Sequence, residues 1–185
     1  MLFLGQNLTR MTTIAIRRYE PADIPLLHAA AVESAGGDFT RWMPWCQPGY
    51  TLEQSSSFIL SREKAWTDGE EYDFAIIDPA TNELLGSVSL NQFNRDHRFA
   101  NVGYWVRRGR MGQGIAPAAV RLAARFGFEE LGLQRLEIVV AVGNERSQRV
   151  AEKVGAQREG VLRNRLLIAD QCHDATMYSL VSCKL

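Results

Sequence analysis

Residues 111–117 read Met-Gly-Gln-Gly-Ile-Ala-Pro and join a strand-like aromatic stretch to a helix with one apolar face. Glycine allows close backbone approach and φ angles that a Cβ forbids, so successive N–H groups can point into one concavity. The helix predicted from about Ala116 adds free N–H groups and a positive dipole end, and Pro117 suits its first turn because no donor is needed there. This segment, the glycine turn, therefore predicts a binding site for a diphosphate.

The residues around the glycine turn narrow the choice of diphosphate. A Walker-type loop would continue from Gly114 with Lys and Ser or Thr, but Ile115 and Ala116 stand there, which disfavours nucleoside triphosphate chemistry. A dinucleotide fingerprint would need glycine at Pro117, although Glu137 falls at about the distance expected for a ribose-binding acid. A tight turn without any ligand is a further interpretation of Gly-x-Gly before a helix.

A second turn and helix follow the predicted strand 135–142. Asn144 and Ser147 open a short helix with one apolar face, and Gly155 follows it. Helix capping alone accounts for these two residues, because Asn is a good N-cap and Ser is common in a first turn. Capping does not account for the whole order of strand, glycine turn, helix, strand, Asn-x-x-Ser and helix.

That order resembles the GNAT superfamily of N-acetyltransferases, and more narrowly its RimJ/RimL branch. The resemblance spans residues 13–185. Its motifs are Gly-Tyr-Trp-Val at 103–106, Gly-Gln-Gly-Ile-Ala at 112–116, Asn-x-x-Ser at 144–147, Glu-Gly-Val-Leu-Arg at 159–163, and His-Asp at 173–174 ahead of Tyr-Ser-Leu at 178–180. The resemblance implies an α/β (α+β) fold with a mixed, mostly antiparallel central sheet that is flanked by helices and splayed at the acyl-CoA site.

The resemblance also implies that acetyl-CoA is the co-substrate and that the glycine turn holds its pyrophosphate. Basic side chains near the turn are by default solvated charge, but Arg110 and Arg149 are the two expected to contact phosphate. The full set of implied acetyl-CoA contacts is Trp105, Val106, Arg110, Met111, Gly112, Gln113, Gly114, Ile115, Ala116, Asn144 and Arg149. Met111 stands where the family usually has Gln or Arg, which leaves the backbone donors intact.

Ser147 and Asn144 are the catalytic residues that the resemblance implies. Many GNAT enzymes use a Tyr of the second helix as the acid for the departing thiolate, but Ala151 occupies the matching position. Ser147 is the substitute expected in the RimJ/RimL branch. The donor that polarises the thioester carbonyl is expected to be the backbone N–H of Val106 or a neighbour.

The general base is left open by the sequence. Asn101 and Leu166 occupy the two positions where related enzymes often carry an acid. The remaining candidates are Glu159, His173, Asp174 and ordered water.

Aromatic side chains are concentrated in residues 36–50, among many turn-forming residues. The Gly and Pro content predicts an irregular connection. Its aromatic side chains either plug the end of the core or, as the resemblance implies, form a wall of the acceptor site. The candidate substrate-binding residues are Trp42, Trp45, Tyr104 and His173.

Hydrophobic periodicity and turn residues predict the other elements. The predicted strands are 13–19, 72–77, 85–93, 99–106 and 135–142, of which 72–106 form an antiparallel meander. The predicted helices run from Pro21 to Gly36, from a capping box at Thr51 to Asp68, and from Ala116 to Gly132. The strand pattern that begins after Met11 leaves residues 1–10 as an N-terminal extension ahead of one domain, residues 11–185.

Composition excludes several classes of protein. At 185 residues the chain suits one well-buried domain, and 21 Lys and Arg balance 21 Asp and Glu, so no overall field attracts nucleic acid. Cys46, Cys172 and Cys183 lack metal-ligand spacing and fit reduced thiols in the cytoplasm. No apolar run approaches a membrane span. We therefore expect no metal, nucleic-acid or membrane partner, and a homodimer is compatible with the sequence.

Together these features predict an acetyl-CoA-dependent N-acetyltransferase that acetylates a primary amine, most plausibly the N-terminal amine of a protein. A small-molecule amine, such as a polyamine, an amino acid or an antibiotic, is the alternative acceptor. A CoA-binding module with weak catalysis is the alternative class, because neither Asn101 nor Leu166 is an acid. A nicotinamide-dependent oxidoreductase is disfavoured by Pro117 and by the small number of strands.

Overall fold

The computed structural model describes residues 3–5, as backbone only, and residues 13–182. Its strands are β1 (Phe3–Gly5), β2 (Ile14–Arg18), β3 (Tyr72–Ile77), β4 (Leu84–Asn94), β5 (Phe99–Val106), β6 (Arg135–Ala141), β7 (Gln157–Ile168) and β8 (Gln171–Val181). Its α-helices are α1 (Ile24–Ser34), α2 (Gly37–Trp42), α3 (Leu52–Asp68), α4 (Ile115–Glu129) and α5 (Glu145–Lys153). Short 3₁₀ turns, Pro21–Asp23 and Arg108–Arg110, precede α1 and follow β5.

The strands form one sheet in the order β1-β2-β3-β4-β5-β6-β8-β7. Neighbouring strands run antiparallel except β5 and β6, which are parallel and pair only between residues 99–101 and 135–137. Beyond these three pairs the two strands separate. The resulting gap, called the opening below, is the splay that the resemblance implied, and the mixed, mostly antiparallel sheet confirms the predicted fold class.

The two faces of the sheet pack on different helices because side chains alternate along a strand. Phe74 and Val88 face α4 and pack in one core cluster with Ala119. Ala75, the next residue of β3, faces the other way and packs with Leu27 of α1. Full burial of an apolar side chain contributes roughly 1.5–3 kcal/mol relative to exposure. The central strands therefore have a helix layer on each side.

Most predicted elements are confirmed within a few residues. The capping box at Thr51 is present: its Oγ1 accepts the Gln54 N–H at 3.3 Å, and the Thr51 N–H donates to Gln54 Oε1 at 2.8 Å. Gly69 ends α3 in the left-handed conformation, with φ of +68°. Strands β3, β4 and β5 form the predicted antiparallel meander.

The prediction that residues 36–50 lack regular structure is wrong for their first part. Helix α2 covers Gly37–Trp42, and residues 43–50 are irregular. Thr40 Oγ1 accepts the N–H of Gly36 at 2.6 Å and donates to the Cys46 carbonyl at 2.8 Å, so one side chain ties both ends of the segment. Phe39 is buried on the inner side of α2. Packing of this short helix thus outweighs the turn-forming glycines at its start.

The predicted N-terminal extension lies largely outside the described residues. Within it only residues 3–5 are described, and they pair antiparallel with residues 14–16 of β2. Residues 1–2 and 6–12 are not among those that the structure describes, nor are residues 183–185, which include Cys183.

Candidate active site

The glycine turn begins after β5 and the 3₁₀ turn Arg108–Arg110. Gly112 and Gly114 both have φ of +78°, a left-handed conformation that residues with a Cβ rarely adopt. Gly114 is the N-cap of α4, which starts at Ile115, one residue earlier than predicted. Ile115 is buried and anchors the helix, while the first N–H groups of the helix lack intrahelical acceptors. The predicted left-handed glycines ahead of a helix are confirmed.

Ion pairs fix the entrance to the glycine turn. Arg107 binds Oε2 of Glu33 on α1 through Nε at 2.9 Å, and Oε1 of Glu83 through Nη1 at 2.9 Å. Glu33 Oε1 accepts the backbone N–H of Gly109 at 2.7 Å. The hydrogen bond from Arg107, with the one from Gly109, lowers the pKa of Glu33. Arg110, a predicted phosphate contact, pairs with Glu83 at 2.5 Å.

The second turn positions the predicted catalytic residues at the start of α5. Asn144 is the N-cap, and its Oδ1 accepts the backbone N–H of Ser147 at 3.2 Å. Ala151 is fully buried, so a tyrosine at this position would not fit without repacking. Arg149 is exposed and pairs with Glu145 one turn earlier, at 3.5 Å.

A hydroxyl pair crosses the opening between β5 and α5. The hydroxyl of Tyr104 lies 2.8 Å from Oγ of Ser147, and it also donates to the Ser147 carbonyl at 3.1 Å. Burial raises the pKa of Tyr104 to about 12, with the hydrogen bond to Ser147 opposing the shift. Sequence reasoning named both residues but missed their contact, because they are 43 positions apart.

Backbone N–H groups of β5 also point at the opening. The Arg107 N–H donates to the carbonyl of Leu85 on β4 at 2.9 Å, and N–H direction alternates along an antiparallel strand. The Trp105 N–H therefore points toward β4. The N–H groups of Tyr104 and Val106 point away from β4, toward the opening. This is the direction that the predicted role of Val106 as the carbonyl donor requires.

A cavity of about 570 Å³ lies beside the opening, on the side of the sheet that carries α1 and α3. It is called the acceptor cavity below. Its lining residues are Leu27, Met43, Trp45, Tyr50, Gln54, Phe58, Asp73, Ser87, Ser89, Gly103, Tyr104 and Trp105. Because Tyr104 and Trp105 belong to β5, the cavity reaches the strand that borders the opening.

Aromatic rings from the segment 36–50 form the outer wall of the acceptor cavity. Trp45 packs edge-on against Trp105, with ring centroids 5.4 Å apart, and against Tyr50 at 5.7 Å. Phe39 packs behind Trp105 at 6.0 Å. The segment therefore fills the end of the core and forms a cavity wall at once, so the two interpretations of its aromatic side chains do not exclude each other.

The four predicted substrate-binding residues divide into two groups. Trp45 and Tyr104 line the acceptor cavity. Trp42 and His173 are not in its lining and contact each other, with ring centroids 6.1 Å apart. Trp42 also lies over Gly143, where an added Cβ would come within 3.3 Å of the indole. The pair therefore sits beside the loop between β6 and α5.

Asp73 is a cavity residue that sequence reasoning missed. It lies on β3, is 8% exposed, and accepts a hydrogen bond from Nη1 of Arg62 on α3 at 2.7 Å. Nη1 of Arg62 also binds Glu71 at 2.5 Å. A signal was present in the sequence, because a charged residue inside the apolar strand Tyr72–Ile77 needs a partner when it is buried.

Comparison with known proteins decides the family. A sequence profile described as "Acetyltransferase (GNAT) domain" matches residues 13–157. The chain belongs to the GNAT family. It is accordingly an acetyl-CoA-dependent N-acetyltransferase, as predicted.

Three relatives illustrate the range of the GNAT family around this chain. The Bacillus subtilis protein named "Putative ribosomal N-acetyltransferase YdaF" is 41% identical over 169 residues, 91% of each chain. The Escherichia coli spermidine N(1)-acetyltransferase is 32% identical over 93 residues, 50% of each chain. The third relative is a solved structure, that of RimL, a ribosomal L7/L12 alpha-N-protein acetyltransferase in complex with coenzyme A. It matches with a TM-score of 0.82 over 97% of this chain and 98% of its own. At 20% sequence identity, this match supports the fold.

Two of the predicted candidates for the general base, Glu159 and Asp174, are hydrogen-bonded to other residues of this GNAT chain. Glu159 accepts a hydrogen bond from Arg135 at 2.6 Å and one from Ser179 at 2.6 Å, and these contacts lower its pKa to about 2. Asp174 accepts the backbone N–H of Asn164 at 2.9 Å. A carboxylate with a pKa of about 2 is a poor proton acceptor near neutral pH.

Two further features are absent from the described part of the GNAT chain. No helix there is both long and apolar enough to cross a membrane. In residues 13–182, no three His, Cys, Asp or Glu side chains are grouped so that they could hold a metal ion.

Proposed function

We propose that this enzyme transfers the acetyl group of acetyl-CoA to the N-terminal amine of a protein. The acceptor cavity carries the proposal: its walls are mainly aromatic and apolar, and among the described residues its lining includes one carboxylate, Asp73. A polypeptide N-terminus offers one ammonium group followed by a side chain and neutral backbone, which matches that composition. The name of the Bacillus subtilis relative, a ribosomal N-acetyltransferase, supports the same acceptor class.

A polyamine matches the acceptor cavity less well, although a spermidine acetyltransferase is among the relatives. Each ammonium group of a polyamine loses hydration on entering a cavity and needs an anionic partner. Asp73 is the acid in the lining, and it already shares Arg62. A second or third ammonium group would therefore remain unpaired.

The glycine turn is proposed to bind the pyrophosphate of acetyl-CoA. Gly112 and Gly114 expose backbone N–H groups, and the N-terminus of α4 adds its dipole. Arg110 and Arg149 are each held in an exposed ion pair, which costs little to exchange for a phosphate contact. Because backbone N–H groups bind the phosphate, the turn needs no side-chain donor at Met111.

The residues at the opening are proposed to carry the chemistry. The N–H of Val106 polarises the thioester carbonyl as the amine attacks and negative charge develops on the oxygen. Ser147 donates to the departing thiolate, near the positive end of the α5 dipole. The Tyr104 hydroxyl, at 2.8 Å from Ser147 Oγ, holds that side chain in place. Asn144 fixes the first turn of α5.

The reducing cytoplasm is the proposed location. Cys46 and Cys172, the cysteines in the described part of the chain, are both unpaired. The buried Cys46 thiol donates to the carbonyl of Ala31 at 3.2 Å, so it serves packing. Unpaired thiols persist in reducing compartments.

An acceptor competition assay tests the proposed function. Purified enzyme, acetyl-CoA and equal concentrations of an N-terminal peptide, its Nα-blocked form with a free Lys, and spermidine are followed by mass spectrometry. We expect acetylation of the free N-terminal peptide at least about tenfold faster than of the other two, a difference of roughly 1.4 kcal/mol in transition-state binding. Preferential acetylation of spermidine would identify a small-amine enzyme, and a single turnover no faster than without protein would identify a CoA-binding module.

A further inference from the structure

We propose that Asp73 is the residue that binds the ammonium group of the acceptor and takes up its proton before attack on the thioester. The inference rests on the proposed function in one respect, that the acceptor is an amine which enters the acceptor cavity. It names a general base that lies on β3, outside every position that the sequence suggested.

The strand register places Asp73 in line with the end of the acceptor cavity that reaches β5 and the opening. Asp73 is paired with Ser89 on β4, and Ser89 is paired with Gly103 on β5. All three line the acceptor cavity. Gly103 leaves the floor of the cavity clear, because a Cβ there would lie 2.9 Å from Oγ of Ser89. A continuous polar track therefore runs from Asp73 to the residue before Tyr104.

The charge balance around Asp73 favours a cation. Nη1 of Arg62 is shared between Asp73 at 2.7 Å and Glu71 at 2.5 Å, so two carboxylates surround one guanidinium and the group carries a net negative charge. Arg62 binds Oδ2 of Asp73, and no residue in the described part of the chain donates to Oδ1. Because Asp73 lines the acceptor cavity, this oxygen is the one left to bind an ammonium group there.

Burial and the neighbouring polar groups suit Asp73 to accept a proton. Desolvation raises the pKa of Asp73, while Arg62 opposes the shift and Glu71 adds to it. The hydroxyl of Tyr19 is buried and close enough to Asp73 for the two groups to interact electrostatically. Burial raises the pKa of Tyr19, so it stays protonated. The titratable and charged groups that interact with Asp73 are Arg62 from α3, Glu71 before β3 and Tyr19 after β2. Ser87, Ser89 and Tyr50 share the lining of the acceptor cavity with it.

The proposed step balances in protons and bonds. The acceptor enters as an ammonium ion, and one proton passes to Asp73, directly or through a water molecule on the polar track. The neutral amine attacks the thioester carbon, the N–C bond forms and the C–S bond breaks. The second proton on nitrogen goes to the thiolate by way of Ser147. Asp73 then releases its proton to solvent, so the net products are the amide, the thiol of CoA and one proton.

Substitution of Asp73 by Asn tests the step through its pH dependence. The acceptor is whichever amine the competition assay finds to be turned over, so failure of the N-terminal preference does not affect this test. At pH 6.5 we expect Asp73→Asn to lower kcat/KM for the acceptor at least about 100-fold, the usual contribution of a general base. The defect should shrink to about tenfold or less roughly one pH unit above the pKa of the acceptor amine, which is about pH 9 for an α-amine, because most of the amine is then already neutral.

Controls separate this role from a structural one. Asp73→Glu should recover at least about a tenth of the activity at pH 6.5, since it restores a carboxylate. Asp68→Asn removes a surface acid of α3 outside the cavity and should leave kcat/KM within about twofold. Acetyl-CoA affinity by calorimetry should be unchanged in all variants. A kcat/KM of Asp73→Asn within threefold of the parent, or a defect of equal size at pH 6.5 and above the pKa of the acceptor amine, would overturn the proposal.

Discussion

The glycine turn and the acceptor cavity border the same strand, β5, but one binds through backbone groups and the other through side chains. The turn is seven consecutive residues whose binding groups are backbone N–H donors. The acceptor cavity draws its lining from α1, the segment 43–50, α3 and three strands, and its binding groups are side chains. A backbone site depends on main-chain conformation, whereas a side-chain site depends on the identity of each residue. We therefore expect donor binding to respond to glycine replacement and acceptor selection to single side-chain truncations.

Among the variants considered next, the largest effect is expected at the hydroxyl pair at the opening, where the two regions meet. Ser147→Ala removes the group next to the leaving thiolate and should lower kcat about ten- to a thousandfold, with little change in acetyl-CoA affinity. Thiols leave readily without help, which favours the lower end. Steady-state kinetics under saturation by both substrates is the measurement.

Tyr104→Phe is the matched variant for Ser147→Ala, because it removes the partner hydroxyl and keeps the ring. Tyr104→Phe should lower kcat less than Ser147→Ala does, by about three- to tenfold, because it removes a positioning contact and leaves the proton donor in place. The pKa of Tyr104, about 12, predicts no loss of activity from its ionisation below pH 11. Parent-like turnover by folded Ser147→Ala would make Ser147 a capping residue only.

Replacement of a glycine in the turn should affect the donor alone. Gly114→Val places a branched side chain at a φ of +78° and against the proposed pyrophosphate, and should weaken acetyl-CoA binding at least about tenfold, roughly 1.4 kcal/mol. Gly155→Val is the control, because Gly155 has φ of +82°, is unobstructed and lies after α5. If both variants lost the same affinity for acetyl-CoA, backbone strain alone would explain the loss, and the contact with the pyrophosphate would be contradicted.

Truncation of the aromatic wall should affect the acceptor alone. Trp45→Ala removes the ring that packs on Trp105 and Tyr50, and should raise the acceptor KM about five- to tenfold through lost contact area. Acetyl-CoA affinity should stay within about threefold. Thermal unfolding confirms that the variant is folded before kinetics are interpreted. An unchanged acceptor KM would remove Trp45 from the acceptor site.

The smallest effect is expected at Glu159, outside both regions. Glu159→Gln should keep activity within about twofold, because Arg135 and Ser179 already hold the carboxylate. Its folded pKa of about 2 lies below the unfolded value, so the ion pair stabilises the protein above about pH 4.5 and is lost as the pH falls toward 2. Since the pair is partly exposed, the variant should lose about 0.5–1 kcal/mol at pH 7 and less at pH 3, by urea unfolding. A large loss of kcat would restore Glu159 as the base.

The contrast between backbone and side-chain sites also explains what the sequence could predict. Gly112 and Gly114 carry their conformational preference locally, and Asn144 caps α5 through a residue three positions away, so both turns could be predicted. The meander and the Thr51 capping box are equally local.

The missed features depend on contacts between distant residues. Arg62 and Asp73 meet because α3 packs on β3, and Tyr104 meets Ser147 because β5 and β6 separate. Helix α2 forms although its glycines predict a loop, because Thr40 and Phe39 gain partners from residues that come later in the chain. Periodicity and turn chemistry describe none of these contacts.

Calorimetric titration of acetyl-CoA into the parent, Gly114→Val and Trp45→Ala, side by side, tests the separation of the two regions most directly. We predict that the dissociation constant rises at least about tenfold for Gly114→Val and stays within about threefold for Trp45→Ala. If Trp45→Ala weakens acetyl-CoA binding as much as Gly114→Val does, the donor occupies the cavity assigned to the acceptor and the account is contradicted.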